Sequence, residues 1–169
     1  MDITAENIAI KSIITDEKFR DVTVNDMSWD HAKVTLNAVL QNRNQGGNLV
    51  FNTVNGKNTE LNMDNNGKKI SAILQMLSAD KITGINDHPL ISNLATKGGK
   101  LNIVNGSMSL SIDEFDIKDQ QSSLFKTLLY KNTSANGATD INIPLMTFAP
   151  DINTLINGKL VADELSLFK

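Results

Sequence analysis

Apolar residues recur along this 169-residue chain mostly at every second position. Val34, Leu36, Ala38 and Leu40 keep one phase, as do Leu61 with Met63, and Met108, Leu110 and Ile112. Ile141, Ile143 and Leu145 do the same, with Pro144 placing that strand at an edge or near its end. Alternation of this kind belongs to strands that bury one face and wet the other. Five Asn-Gly pairs stand between or beside such segments: Asn55-Gly56, Asn66-Gly67, Asn105-Gly106, Asn136-Gly137 and Asn157-Gly158. Both residues tolerate positive φ, which a tight hairpin turn demands of its two central positions. With Gly46-Gly47 and Gly98-Gly99 as further turns, the pattern predicts a meander of antiparallel strands.

Three segments carry helical spacing instead. Ile70, Ile73, Leu74 and Leu77 fall at i, i+3, i+4 and i+7. Asp87 or His88 can cap a second helix with Pro89 at its first position, Leu90, Ile91 and Leu94 facing inward, and Lys97-Gly98 closing it. A third runs from Asp119 through Leu124, Phe125, Leu128 and Leu129 to Asn132. None is long enough to stand alone. The fold predicted is a single β-dominated α+β domain over residues 1–169: a curved antiparallel sheet with two or three short helices packed on one face.

Four segments share one finer pattern, with apolar or small residues at i, i+2, i+5 and i+7. They are Ile3–Ile10, Val22–Trp29, Leu110–Ile117 and Leu160–Leu167, each with a polar pair in the middle. In a regular strand, positions i and i+5 face opposite ways. An extra residue at the polar pair restores the phase and bends the strand, as a β-bulge does. Bulges are therefore expected at Glu6-Asn7, Asn25-Asp26, Asp113-Glu114 and Asp163-Glu164.

Charge and composition remove several function classes. Sixteen basic and 19 acidic residues leave a net charge of −3, against the basic excess of a nucleic-acid binder. Without cysteine there is no thiol nucleophile, zinc-thiolate site or disulfide. No stretch approaches the roughly 18 apolar residues of a membrane helix. The opening Met1-Asp2-Ile3-Thr4 has neither a basic nor an apolar leader region. That fits either a cytosolic protein or a soluble piece of a longer exported or anchored chain, and the strand-like ending Leu167-Phe168-Lys169 fits the piece better. His31 and His88 each stand beside an aspartate in a turn-like context, without the further ligands that metal or acid–base chemistry needs. The four Gly-Lys pairs lack the rest of a phosphate loop. Asn62–Ile73 imitates a calcium loop, but Ile73 stands where the bidentate glutamate belongs. Asn105-Gly106-Ser107 and Asn132-Thr133-Ser134 match the glycosylation triplet, a match an Asn-rich chain makes by chance. No catalytic constellation emerges, so no enzyme, metal or cofactor is expected.

Residues from about Phe19 to Ile117 resemble the AsmA-like family of Gram-negative envelope proteins. The resemblance lies in Val24–Trp29 followed by Lys33–Ala38, in Gly46-Gly47-Asn48-Leu49-Val50-Phe51, in Ile70–Leu77 leading to Ile82-Thr83-Gly84, and in Gly99–Gly106. Two helical segments, 86–97 and the one in the 120s, depart from the family pattern. The resemblance implies a non-enzymatic domain on the periplasmic face of the bacterial inner membrane, engaged in outer-membrane biogenesis and in carrying phospholipid along an apolar β groove. Phospholipid or acyl chains, other envelope proteins and neighbouring repeats of the same chain are then the expected partners, with no nucleic acid. The strand residues expected to line the groove are Val34, Leu36, Leu40, Leu49, Phe51, Leu61, Met63, Leu101, Ile103, Met108, Leu110 and Ile112. The rival reading is a β-rich protein-interaction module, accessory or effector, whose same residues form a closed core; for it a cytoplasmic location stays open.

Overall fold

The computed structural model describes residues 2–18, 20–36, 48–84, 90–156 and 162–168. Ten strands and one short helix occupy them: β1 (Asp2–Asp16), β2 (Asp21–Leu36), β3 (Leu49–Asn65), β4 (Lys68–Thr83), β5 (Leu90–Ser92), β6 (Ala95–Asn105), β7 (Met108–Lys118), β8 (Ser123–Ser134), β9 (Gly137–Pro150), α1 (Ile152–Ile156) and β10 (Ala162–Phe168). They form one curved, unclosed sheet in the order β1-β2-β3-β4-β6-β7-β8-β9-β10. The short β5 continues along β4 at Lys81–Thr83, beyond the stretch that β6 pairs. Neighbours are antiparallel except β2 and β3, which run parallel.

The strands are long, up to 17 residues in β3, where five or six is usual. They are not straight. Left-handed residues interrupt them at Asn7 in β1, Asp26 and His31 in β2, Thr53 and Asn58 in β3, and Thr127 in β8. In β2 and in β3 the two kinks lie five residues apart, and the ladder sets Asp26 opposite Thr53 and His31 opposite Asn58. Because both strands kink at the same rows, their register is unbroken. The His31–Asn58 row continues through Gln75 to Gly98, which also has positive φ. The Asp26–Thr53 row continues through Asp80 to the left-handed Asn93, whose amide donates to the Asp80 carboxylate at 2.6 Å. Two creases thus cross the sheet, and at each the inward spacing lengthens from two residues to three. That is the i, i+2, i+5, i+7 pattern of the sequence.

The bulges fall where the pattern demands at three of the four expected sites. Register shifts flank Asn7 in β1, separate Ile112 from Phe115 in β7, and separate Ala162 from Leu165 in β10. Ile112 and Phe115 are both buried, 4% and 9% exposed, so the extra residue keeps them on one face. At Asn25-Asp26 the bend is a left-handed Asp26 without a register shift.

The three expected helices are strands. Ile70–Leu77 lies in β4, Leu90–Lys97 in β5 and β6, and Leu124–Asn132 in β8; Asp87, His88 and Pro89 lie outside the described residues. A creased strand explains the misreading. In β4 the inward residues Ile70, Ala72 and Leu74 alternate, then the crease at Gln75-Met76 delays the next to Leu77 and Ala79. Ile70, Leu74 and Leu77 therefore mimic a helical stripe, while Ile73, which a helix would bury, is 47% exposed. The described residues contain one helix, α1, at a position the sequence did not suggest.

The turns divide similarly. Asn66-Gly67 has positive φ at both residues, as a type I′ hairpin requires. Asn105-Gly106 and Asn136-Gly137 also join antiparallel neighbours. Asn55-Gly56 and Gly98-Gly99 are not turns but lie inside β3 and β6. There glycine admits an aromatic ring from the next strand: Trp29 lies over Gly56, and Phe115 over Gly99, where any Cβ would collide. Gly46-Gly47 and Asn157-Gly158 lie outside the described residues, and the strands flanking the former are parallel, not a hairpin.

The best-covered part of the molecule is one end of β7–β9. Phe115, Phe125 and Phe148 stack edge to face, with centroids 6.4 and 4.7 Å apart. Ile152 of α1 is 1% exposed. Asp151 caps α1 by accepting from the Asn153 and Thr154 amides. The Asp119 carboxylate accepts from the Ile152 amide, and the Asn153 side chain from the Ile91 amide, tying α1 to neighbouring turns and to β5.

Candidate apolar sheet face

Register partners in a sheet share a face, so the ladder shows which apolar residues meet. One row runs Ile3, Val34, Leu61, Ala72, Leu101, Ile112, Leu128, Ile143, crossing eight strands from β1 to β9. The adjacent row runs Leu36, Met63, Ile70, Ile103, Leu110, Tyr130, Ile141. Eight of the expected groove residues come together here: Val34, Leu61, Leu101 and Ile112 in the first row, Leu36, Met63, Ile103 and Leu110 in the second. Leu36 is placed by its backbone register. Leu49 and Phe51 do not join them: they pair with Val22 and Val24, ten to twelve residues away along β3, beyond both creases. Met108 stands at the hairpin end of β7, opposite Asn105 and Asn132. Leu40 lies outside the described residues.

The sequence reading missed Ile3, Ala72, Leu128, Ile143, Ile70, Tyr130 and Ile141 as members of these rows. Ile70, Ala72 and Leu128 fall in segments whose spacing predicts a helix, although Ile70, Ala72 and Leu74 also alternate as a strand does. Among the described residues no second layer lies over the rows; packing follows the ladder, apart from minor contacts of α1 with β5 and of β7 with β9. Val34, Leu61, Leu101, Ile103 and Leu110 stay only half-buried as a result.

A second feature lies between the creases. A depression of about 610 Å³ crosses β2, β3, β4 and β6 at the row Trp29, Gly56, Leu77, Thr96. None of the expected groove residues lines it. Trp29 is fixed there by its Nε1–H, which donates to the Thr59 hydroxyl at 2.8 Å. Lys57, Lys97 and Lys118 border the depression beside the single carboxylate Asp30.

The opposite face is largely polar, with Ile73 and Val104 exposed on it, and is held by cross-strand hydrogen bonds. Asn52 donates to Asn25, and Asn25 to Ser12, linking β3, β2 and β1. At the crease, Asn58 donates to Asp30 at 2.8 Å. That bond, with the charges of His31 and Lys57, holds the Asp30 carboxyl below its ordinary range despite some desolvation. A hydrogen bond from Asn62, then the Lys33 ammonium, does the same for Glu60. His31, at a left-handed position that histidine tolerates better than most residues, pairs with Asp30 at 2.9 Å. Among the described residues no group of three His, Cys, Asp or Glu could hold a metal, and no helix is long and apolar enough to cross a membrane.

The fold and face define a class: an open, creased β-sheet with one apolar and one polar surface. Compared with family models, with curated proteins and with solved structures, the chain matches none.

Proposed function

We propose that this chain is a non-enzymatic domain of the AsmA-like kind, and that the apolar face of its sheet holds the acyl chains of phospholipid in transit between the membranes of a bacterial envelope. The observation that carries this reading is the pair of apolar rows crossing the sheet with no second layer over them among the described residues. A sheet with an apolar face needs something to cover it, and burying each such side chain is worth about 1.5–3 kcal/mol whoever supplies the cover. An acyl chain supplies it without directional bonds, which suits rows made of Val, Leu, Ile and Met. The resemblance of residues 19–117 to AsmA-like chains points the same way, and with it a periplasmic location.

Native mass spectrometry of the protein extracted from a bacterial envelope tests the reading. Co-purifying phospholipid, removed by organic extraction, is the expected result. Protein that carries no lipid and takes up none from vesicles would overturn it. The interaction-module reading draws on a different observation: Ile3, Ile8, Ile10 and Ile13 on the edge strand β1 are 40–58% exposed.

A further inference from the structure

Among the described residues β1 and β10 are the two edges of the sheet, and they carry complementary patterns. We propose that they pair with each other between molecules, so that a second copy of this chain adds its β10 beside β1 and continues the sheet and its apolar face. This reading stands independently of lipid binding.

Direction is the first requirement. Counting along the ladder, with β2 and β3 parallel and every other neighbour antiparallel, β1 and β10 run in opposite senses. A copy translated along the sheet therefore brings β10 to β1 antiparallel, as seven of the eight neighbours along the main ladder already are. β1 carries two of the usual guards of an edge, the bulge at Glu6-Asn7 and Lys11, but its pairing with β2 is regular over Ala9–Asp16. It is a 15-residue strand without proline, and its exposed isoleucines are the kind of edge that natural sheets usually protect.

Spacing is the second requirement. β10 carries Ala162, Leu165 and Leu167, and the first lies opposite Pro150, the others opposite Phe148 and Met146, both buried on β9. The bulge at Asp163-Glu164 sets the three-residue gap. β1 has the same gaps in reverse: Ile8, Ile10, then Ile13. One antiparallel register sets Ala162 opposite Ile13, Leu165 opposite Ile10 and Leu167 opposite Ile8, which puts these three positions of β10 against apolar positions of β1.

Charge selects that register over its neighbour. It brings Glu164 opposite Lys11 and Asp163 opposite Ser12. Lys11 is 77% exposed and lies 3.4 Å from the Asp26 carboxylate. Sliding by one five-residue repeat would also match apolar positions, setting Ala162 opposite Ile8, but it would place Glu164 opposite Glu6. Like charges directly opposite are unfavourable and unlike charges favourable. Because the contact joins two different edges, it is heterologous and propagates as an open stack rather than closing as a dimer.

Cysteine cross-linking tests the register, since the chain has no cysteine of its own. Ser12→Cys and Asp163→Cys are made as separate single variants, mixed and mildly oxidised. The expected product is a mixed disulfide dimer that neither variant forms alone, and a ladder of multimers from the double variant. An Asn7→Cys and Asp163→Cys mixture reports the slipped register and should cross-link several-fold less. Sedimentation gives the second readout: Lys11→Glu weakens association about five- to tenfold, and adding Glu164→Lys restores it. Monomer at all concentrations with no mixed disulfide, or preferential cross-linking at Asn7, would overturn the proposal.

Discussion

Single residues set the shape of this sheet by accepting φ values that most residues refuse. Asn7, Asp26, His31, Asn58 and Asn93 are types that enter the left-handed region readily. Thr53 and Thr127 are β-branched and are strained there. Thr53→Asn should therefore raise stability by about 1 kcal/mol in urea unfolding, whereas Thr35→Asn, on the same sheet outside a crease, should not. Gly99 shows the opposite constraint, because its missing side chain makes room for the Phe115 ring. Gly99→Ala should cost about 1–3 kcal/mol, and Phe115→Leu in the same chain should recover part of it, a non-additivity that a double-mutant cycle measures.

Protonation acts at the same scale. The Asp30 and Glu60 carboxyls sit below their ordinary ranges in the folded chain. Their contribution is therefore present above the unfolded carboxylate range and is lost as pH falls through about 4 and below. Asn58→Gly keeps the backbone freedom but removes the amide that donates to Asp30. The stability gap between that variant and the parent should narrow between about pH 6 and pH 3, followed by urea midpoints. A gap that is constant with pH would show that the Asn58–Asp30 bond contributes nothing.

At the scale of elements, a creased strand and a short helix write overlapping sequences. Both place apolar residues three apart, and in β4 only Ile73 separates them: inward in a helix, 47% exposed in the strand. Ile73→Thr should change stability by less than about 0.5 kcal/mol, while Phe148→Ala, in the covered end of the sheet, should cost about 3–5 kcal/mol. A large loss at Ile73 would contradict the strand. The bulges were legible because the phase of Leu110, Ile112, Phe115 and Ile117 cannot be kept by a regular strand. The parallel pairing of β2 with β3 was not, since alternation is the same in either direction. Nor were Gly56 and Gly99 legible as strand interior, because the rings that need them come from other strands. Of the apolar face, the members on β2, β3, β6 and β7 are legible in the sequence. Those in β4 and β8 are hidden by the helical spacing, and Ile3, Ile141 and Ile143 read as strand without showing which face they join.

For the whole molecule, the central claim is that one face of a single-layer sheet is left for acyl chains. Leu61 and Asn62, and likewise Leu101 and Asn102, are consecutive residues on opposite faces, with Leu61 and Leu101 on the first apolar row. The most direct measurement is the amount of phospholipid bound per chain, by native mass spectrometry after incubation with vesicles, for Leu61→Glu with Leu101→Glu against Asn62→Glu with Asn102→Glu. Cooperative unfolding is checked for each. The account predicts that the leucine variant loses most of its bound lipid while the asparagine variant retains the parent's. Equal binding by both folded variants, or none by the parent, would contradict it.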